Sequence, residues 1–463
     1  MPRLPLVAII GRPNTGKSTL FNRMIGERRA IESPVPGTTR DHVSQKVETD
    51  DVDYLLVDTG GMGGGTDDKD FEEDVQKQSL LAVTAADAIV LTINSRDDLT
   101  VSDREVASLL RKKKQKHVPV IIAVTKVDNP DRDDEAVALG SELGIADDIF
   151  PVSATHGRGV SELEDAIIAH LKNLHFEKIR SPKSLREPQG SSEPRTAEVR
   201  SPKIAVIGKP NVGKSSLINV LMPEPERKVS PRLVSEIPGT TRDTTDTVIR
   251  HEGREYLFID TAGLRRHAKV EEGIEQYAML RSIQAIEQAD VAVLLIDATE
   301  PVSRQDKRIV SIAVDAGKGL LLLLNKIDLL TTEKKHAKID EIIAAFPFCR
   351  FAPLLPVSTR TREGLLKMFD YIDMIHRNRL RRIPTKELHT FLEDAVHRQP
   401  MSSLASAKHI TQAEDPPPTF VLFVRDPKRI QVSQLRYLEN RLRSTFGFEG
   451  TPVRWVTKRS GRE

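Results

Sequence analysis

Leu6-Val7-Ala8-Ile9-Ile10 runs into Gly11-Arg12-Pro13-Asn14-Thr15-Gly16-Lys17-Ser18, and these residues decide the fold class. Five consecutive apolar residues read as a strand buried on both faces. The Gly-x-x-x-x-Gly-Lys-Ser that follows reads as a turn opening a helix, the context a phosphate-binding loop requires. Glycines let backbone N–H groups converge on phosphate oxygens, and the helix N-terminus adds partial positive charge. The pattern returns later: Ile204-Ala205-Val206-Ile207 precedes Gly208-Lys209-Pro210-Asn211-Val212-Gly213-Lys214-Ser215. With glycine at about 7 % of residues, one such match arises by chance in roughly a few chains per hundred of this length. Two, each behind an apolar strand, are not chance.

The repeat extends outward from both loops. Pro36-Gly-Thr-Thr-Arg-Asp41 matches Pro238-Gly-Thr-Thr-Arg-Asp243, and Asp58-Thr-Gly-Gly61 matches Asp260-Thr-Ala-Gly263. Thr125-Lys-Val-Asp128 then pairs with Asn325-Lys-Ile-Asp328, and Val152-Ser-Ala154 with Val357-Ser-Thr359. Motifs recurring in one order mean a duplicated domain rather than a solenoid. Short apolar runs lie between them (54–57, 88–93, 120–124, 256–259, 291–296 and 320–324), separated by helical stretches such as 101–114 and 305–315. Alternating strand and helix predicts an α/β fold, two tandem P-loop domains with doubly wound, mostly parallel sheets. Residues 176–202 are rich in Pro, Ser and charge and read as a flexible linker. The remaining 80 or so residues read helix (385–397), strand (408–412), strand (420–424), helix (433–446), strand (452–457), an α+β module. The domains expected are thus 1–175, 203–382 and 383–463.

Charge is distributed unevenly. From Arg377 onward 17 Lys and Arg face nine Asp and Glu, a surplus of +8; the whole chain carries +2, so the preceding residues carry −6. A basic end on an acidic body suits an anionic partner such as RNA, or is a solvated basic face. The lone cysteine, Cys349, excludes an intramolecular disulfide and fits a reducing compartment. No apolar run approaches a membrane span and no signal peptide is visible, so the expected location is cytoplasmic.

Each motif implies a role. Lys17 and Lys214 are expected at the β- and γ-phosphates, with Ser18 and Ser215 binding Mg²⁺ through their hydroxyls. Gly11, Gly16, Gly208 and Gly213 shape the loops; Thr15, Val212, Thr19 and Ser216 complete the nucleotide-binding set. Thr39 and Thr241 are candidate γ-phosphate sensors and Mg²⁺ ligands, with Thr38 and Thr240 as competitors. Asp58 and Asp260 are expected to hold Mg²⁺ through water, and Gly61 and Gly263 to offer a backbone N–H to the γ-phosphate. Met62 and Leu264 stand where a Ras-like enzyme carries a water-orienting Gln, so other groups must position the water. Asp128 and Asp328 can accept the N1–H and N2 amino protons of guanine as a charge-assisted pair, which adenine cannot offer. The stems of Lys126 and Lys326 can cover the base. Ser153, Ala154, Ser358 and Thr359 close the pocket, while Thr125 supplies fewer hydrogen bonds than its counterpart Asn325. These readings amount to hydrolysis of GTP to GDP and phosphate at two sites.

The order and wording of these motifs resemble the Der (EngA) family of tandem-GTPase ribosome-assembly factors, over almost the whole chain. The C-terminal segments Pro417-Pro418-Thr419-Phe420, Arg436-Tyr437-Leu438-Glu439-Asn440-Arg441 and 446–452 resemble the family's KH-like domain. The resemblance implies a role in maturation of the large ribosomal subunit, with nucleotide-controlled binding to ribosomal RNA, as a monomer without DNA or membrane partners. Related GTPases can use K⁺ in place of an arginine finger, and Asn14 and Asn211 occupy the position of its ligand; the alternative is that they only shape the loop. Thr15, Thr125 and the long linker depart from the family pattern. Gly447-Phe-Glu-Gly450 spells the G-x-x-G of a nucleic-acid clamp, but it lies between helix and strand and reads as a turn. RNA contact is expected instead from Arg377–Arg382, from Lys458 and Arg459, or from Arg441 and Arg443. One rival reading is a nucleotide-gated RNA-binding scaffold with a single hydrolysing domain. Another, a GTPase of tRNA modification or membrane targeting, lacks a catalytic cysteine motif and an amphipathic segment.

Overall fold

The computed structural model describes residues 4–26, 44–59, 86–113, 118–176, 201–222, 246–259, 274–398, 404, 407, 409–413 and 416–460. Thr39, Gly61, Thr241, Asp260 and Gly263 lie outside the described residues, as do residues 177–200 of the expected linker; Phe176, at its start, instead packs on the core of the first domain.

In the first domain, β1 (Leu6–Ile10) is wholly buried and feeds α1 (Lys17–Gly26) through the phosphate loop. β2 (Ser44–Val47), β3 (Tyr54–Asp58), β4 (Ala88–Asn94), β5 (Val120–Thr125) and β6 (Asp148–Val152) complete a six-stranded sheet ordered β2-β3-β1-β4-β5-β6. Only β2 is antiparallel to its neighbour. β3, β4 and β5 are buried along their whole length, as expected of strands covered on both faces. Helices α2 (Val101–Lys113) and α3 (Val160–Asn173) follow β4 and β6. The register sets strand ends level: Ile9 lies opposite Asp58, Asn94 opposite Thr125, and Thr125 opposite Val152. The chain steps from β1 to β3 on one side and then crosses to β4 on the other. The loops after the parallel strands therefore meet at one sheet edge, beside a topological switch point, where open α/β sheets bind ligands.

The second domain repeats this plan with β7 (Lys203–Ile207), α4 (Lys214–Leu221), β8 (Thr247–His251), β9 (Arg254–Ile259), β10 (Val291–Asp297), α5 (Arg304–Asp315), β11 (Gly319–Asn325) and β12 (Leu354–Pro356). Its order is β8-β9-β7-β10-β11-β12, with β8 antiparallel. Ser303 caps α5 by accepting from the Asp306 N–H while Asp306 accepts from the Ser303 N–H.

Helix α6 (Lys367–Leu380) ends that domain, and α7 (Thr385–Arg398), β13 (His409–Gln412), β14 (Thr419–Val424), α8 (Val432–Phe446) and β15 (Arg454–Arg459) form the C-terminal module. β14 is central, antiparallel to β13 and parallel to β15. Its residues alternate between buried and half-buried, because one face packs on Leu388, Leu392, Leu438 and Leu442 of the two helices. The 447–450 turn joins this module to the second domain. Gly450 accepts from the Leu320 N–H and donates to the Phe351 carbonyl, both at 2.7 Å. β12 pairs with β11 only from Leu322 to Leu324, so the backbone of Leu320 is left for the turn. Arg379, buried, donates to the Gly317 carbonyl, and Arg454 Nη2 lies 2.5 Å from the Asp315 carbonyl.

Candidate functional site

The phosphate loop of the first domain is wound by left-handed residues, with φ of 149° at Gly11, 61° at Asn14 and 81° at Gly16. A Cβ at Gly11 would sit 2.5 Å from the Thr92 carbonyl oxygen, so only glycine lets the loop lie on β4. Lys17 is buried and its Nζ donates to the Gly11 and Arg12 carbonyls at 2.9 and 2.8 Å, across the hollow of the loop. Burial pushes this ammonium down to about 8, against the pull of Asp58 and with the repulsion of Arg12. Lys214 repeats the arrangement on the Gly208 and Lys209 carbonyls, and burial again lowers it to about 8. An ammonium so desolvated gains strongly from an anion in the loop.

Ser18 Oγ donates to Asp58 Oδ2 at 2.7 Å, which brings the two expected Mg²⁺ groups of the first domain together. A hydroxyl and a carboxylate are hard oxygen donors of the kind Mg²⁺ takes beside substrate phosphates. Asn14 and Asn211 are exposed at positive φ, a shape that the turn itself requires. Thr15 and Val212 have buried side chains, so each can meet phosphate only through its backbone. Thr19 and Ser216 are exposed on the first helical turn.

The loops expected to read the base lie beside the phosphate loops. Ser153 Oγ donates to Asp128 Oδ1 at 2.7 Å, and Ser358 Oγ to Asp328 Oδ1 at 2.6 Å. Each aspartate is thereby oriented by the serine of the following motif. Ala154 is buried beside Ser153. Lys126 and Lys326 both stand in the left-handed region, but Lys126 Nζ donates to the Asn14 carbonyl at 2.8 Å, whereas Lys326 pairs with Asp297 at 2.5 Å. Thr125 and Asn325 are buried and tie β5 and β11 to the phosphate loops: Thr125 Oγ1 lies 2.7 Å from the Thr15 carbonyl, and Asn325 Nδ2 2.8 Å from that of Val212. Asn325 also accepts from the Thr359 N–H at 3.0 Å. The shorter threonine makes no such link to Ala154 among the described bonds.

Several site residues were not singled out from the sequence. The basic residue after each leading glycine is clamped by two acids. Arg12 meets Asp97 at 2.6 Å and Asp103 at 3.2 Å; Lys209 meets Glu300 and Asp306, both at 3.3 Å. Aligning the two repeats residue by residue would have shown this conserved pairing of charge within the chain. Arg96 is a second such residue, paired with Asp128 at 2.7 Å. The expected RNA contacts need correction. Arg443 is packed over the Phe351 ring and donates to the Phe448 and Thr451 carbonyls, Arg441 pairs with Asp394, and Arg379 is buried, so these three hold the fold. Arg377, Arg381, Arg382, Lys458 and Arg459 are exposed. The Gly447–Gly450 turn is engaged on the second domain, in keeping with its reading as a turn.

The chain is similar to known proteins over nearly its whole length. Residues 6–126 and 203–326 match the family described as 50S ribosome-binding GTPase, and 382–458 match the KH-domain-like C-terminal domain of EngA bacterial GTPase enzymes. A GTPase Der of Geobacillus kaustophilus is 39 % identical over 460 residues, covering 98 % of this chain and 99 % of that protein. One from Chloroflexus aggregans is 40 % identical over 465 residues, covering 98 % and 97 %. A solved structure of Era with MgGDPNP and nucleotides 1506–1542 of 16S ribosomal RNA is 22 % identical and covers 56 % of this chain and 92 % of that one, with a TM-score of 0.27, too remote to bear on function.

Proposed function

The chain belongs to the GTPase Der family, and from that premise we propose that it serves maturation of the large ribosomal subunit, binding ribosomal RNA under the control of two guanine-nucleotide sites. GTP hydrolysis is the activity of the family. The observation that carries the reading is the duplication: each half sets a desolvated lysine in its phosphate loop and a serine-oriented aspartate beside it. Residues 1–175 and 203–382 are the two catalytic modules and 383–463 the KH-like module, joined by the 176–202 linker.

At each site the loop amides and Lys17 or Lys214 hold the β- and γ-phosphates and stabilise the charge of the transferring group. Ser18 and Asp58, and Ser215 and Asp260 in the second domain, would hold Mg²⁺, which would supply positive charge to neutralise the phosphate oxygens. Thr39 and Thr241, with the backbone of Gly61 and Gly263, sense the γ-phosphate, and the attacking water is placed without a Gln side chain. Asp128 and Asp328 select guanine. Asn14 and Asn211 would hold K⁺, which would supply the positive charge that an arginine finger gives elsewhere, the alternative being that they only shape the loop. The exposed basic residues Arg377, Arg381, Arg382, Lys458 and Arg459 suit a phosphate backbone. The protein acts as a cytoplasmic monomer; among the described residues no helix is long and apolar enough to cross a membrane.

The test is GTP turnover by the wild type, Lys17→Ala and Lys214→Ala, in KCl and in NaCl, with and without large ribosomal subunits. Loss of at least about 100-fold at the mutated site is expected, since a charge acting on the transition state is removed. Turnover surviving in one variant while the other is dead would favour the scaffold with one hydrolysing domain, a reading that the weaker tie made by Thr125 supports. Equal rates in Na⁺ and K⁺ would remove Asn14 and Asn211 as cation ligands.

A further inference from the structure

The two base-reading aspartates share one partner and differ in another. Ser153 and Ser358 make the same bond to Oδ1 of Asp128 and Asp328. Among the described residues, only in the first domain is the other oxygen also engaged: Arg96 Nη2 lies 2.7 Å from Asp128 Oδ2. Asp328 forms no ion pair among the described residues.

The difference begins at the strand ends. β10 closes on Asp297, whose carboxylate takes Lys326 and also accepts the Thr299 N–H and hydroxyl at 2.9 and 2.7 Å. Thr299, two residues past the strand, is thereby folded back. β4 closes instead on the neutral Asn94, which accepts the Arg96 N–H at 3.1 Å and donates to Asp97. Asp97, beside it, is taken up by Arg12 and the Asn94 amide, and the guanidinium of Arg96, also two residues past the strand, reaches across to Asp128. Of the neighbouring lysine and arginine side chains, Arg12 is engaged with Asp97 and Asp103 and Lys126 with the Asn14 carbonyl, while His156 also faces Asp128. Arg96 is 61 % exposed, so its side chain can swing into water without disturbing the core.

Taking Asp128 as the guanine reader, as proposed above, we infer that Arg96 is a latch of the first domain, competing with the guanine edge for the Asp128 carboxylate and weakening nucleotide binding there but not at the second site. A guanidinium and the N1–H/N2-amino edge of guanine present the same kind of paired donor to the same acceptor. Nucleotide binds only the fraction of chains in which the latch is open, so its apparent affinity falls by that fraction. An exposed ion pair is weak and screened, so the latch tunes binding rather than blocking it.

The experiment uses the full chain carrying Asp328→Asn, which disables guanine reading at the second site. GDP binding is measured with and without Arg96→Ala, at about 0.1 M and about 1 M NaCl, where the Debye length falls from about 10 to about 3 Å. The expected result is about two- to five-fold tighter GDP binding on removing Arg96 at the lower salt, through faster association, with the gain vanishing at the higher salt. Unchanged affinity overturns the latch; weaker affinity overturns it too and makes Arg96 a positioning residue for Asp128. Asp128→Asn on the same background separates the premise from the inference. An amide cannot accept both guanine protons as the carboxylate does, so the GDP binding that remains at the first site should be lost; if it persists, the reading of Asp128 fails whatever Arg96 does.

Discussion

Thr15, Thr92 and Thr125 replace an apolar pair and an asparagine found at the same places in the second repeat. Thr15 Oγ1 lies 2.7 Å from both the Arg12 carbonyl and Thr92 Oγ1, and Thr92 donates to the Ile10 carbonyl at 3.1 Å, all of it buried. In the second domain Val212 and Leu295 fill the same space without polar groups. Thr15→Val keeps Lys17 on the Arg12 carbonyl, so it should cost only about 0.5–1.5 kcal/mol, the net worth of one hydrogen bond. Thr92→Leu takes a partner from a buried hydroxyl and adds volume, about 1–3 kcal/mol. The double variant rebuilds the second domain's pair and should lose less than the sum, as read from thermal unfolding of the first domain. Strict additivity would show that the two hydroxyls are not one network. Cys349 is buried, and burial pushes its thiol up to about 12. With a raised pKa the thiolate is scarce at pH 8, so iodoacetamide should not label the native chain there and should add one label per chain in guanidinium chloride. Rapid native labelling would contradict the packing of the second domain around this residue.

The 447–450 turn shows how an element's sequence signature and its use can part. Its G-x-x-G spacing serves contact with the second domain, because both glycines stand at positive φ and the Gly450 backbone completes the open end of β11. A Cβ at Gly450 would fall inside the radius of Ile375 Cγ1, whereas one at Gly447 would meet only Arg381 Nη1 at 3.8 Å. Gly450→Ala should therefore cost more than Gly447→Ala, by about 1–3 kcal/mol from overpacking beyond the shared backbone strain. Melting of the second domain and limited proteolysis near residue 450 would both report it; equal effects of the two substitutions would mean that the turn is not clamped. The central strands were legible as apolar runs and stand where those runs predict. In the two larger sheets the edge strands were not. β2 is Ser-Gln-Lys-Val, β6 carries Pro151 and β12 has three residues, because an edge strand is covered on fewer sides and its composition loses the buried signature.

At the scale of the whole molecule the duplicated motifs set two similar domains along one chain, and the KH-like module is fastened to the second of them through Gly450 and Arg454. A protease site placed within residues 185–195 should yield two fragments that each still bind guanine nucleotide, because no strand or helix is expected there. Cutting instead at Arg382–Pro384 should lower the melting temperature of the second domain, because Leu320 and Asp315 lose their partners Gly450 and Arg454. Equal tolerance of both cuts would show that the module contributes nothing to that domain.

Sequence alone determined the duplication, the order of the motifs, the parallel sheets and the chemistry of the lysines, serines and aspartates, because periodicity and loop spacing are local properties of the chain. Only the tertiary structure decided which charges meet: that Arg12 and Lys209 are each held by two acids, that Arg441 and Arg443 are structural, and that Arg96 reaches Asp128 while Thr299 turns back to Asp297. The physical reason is that an ion pair depends on the relative placement of strand ends and side-chain reach across many residues, and spacing along the chain records neither.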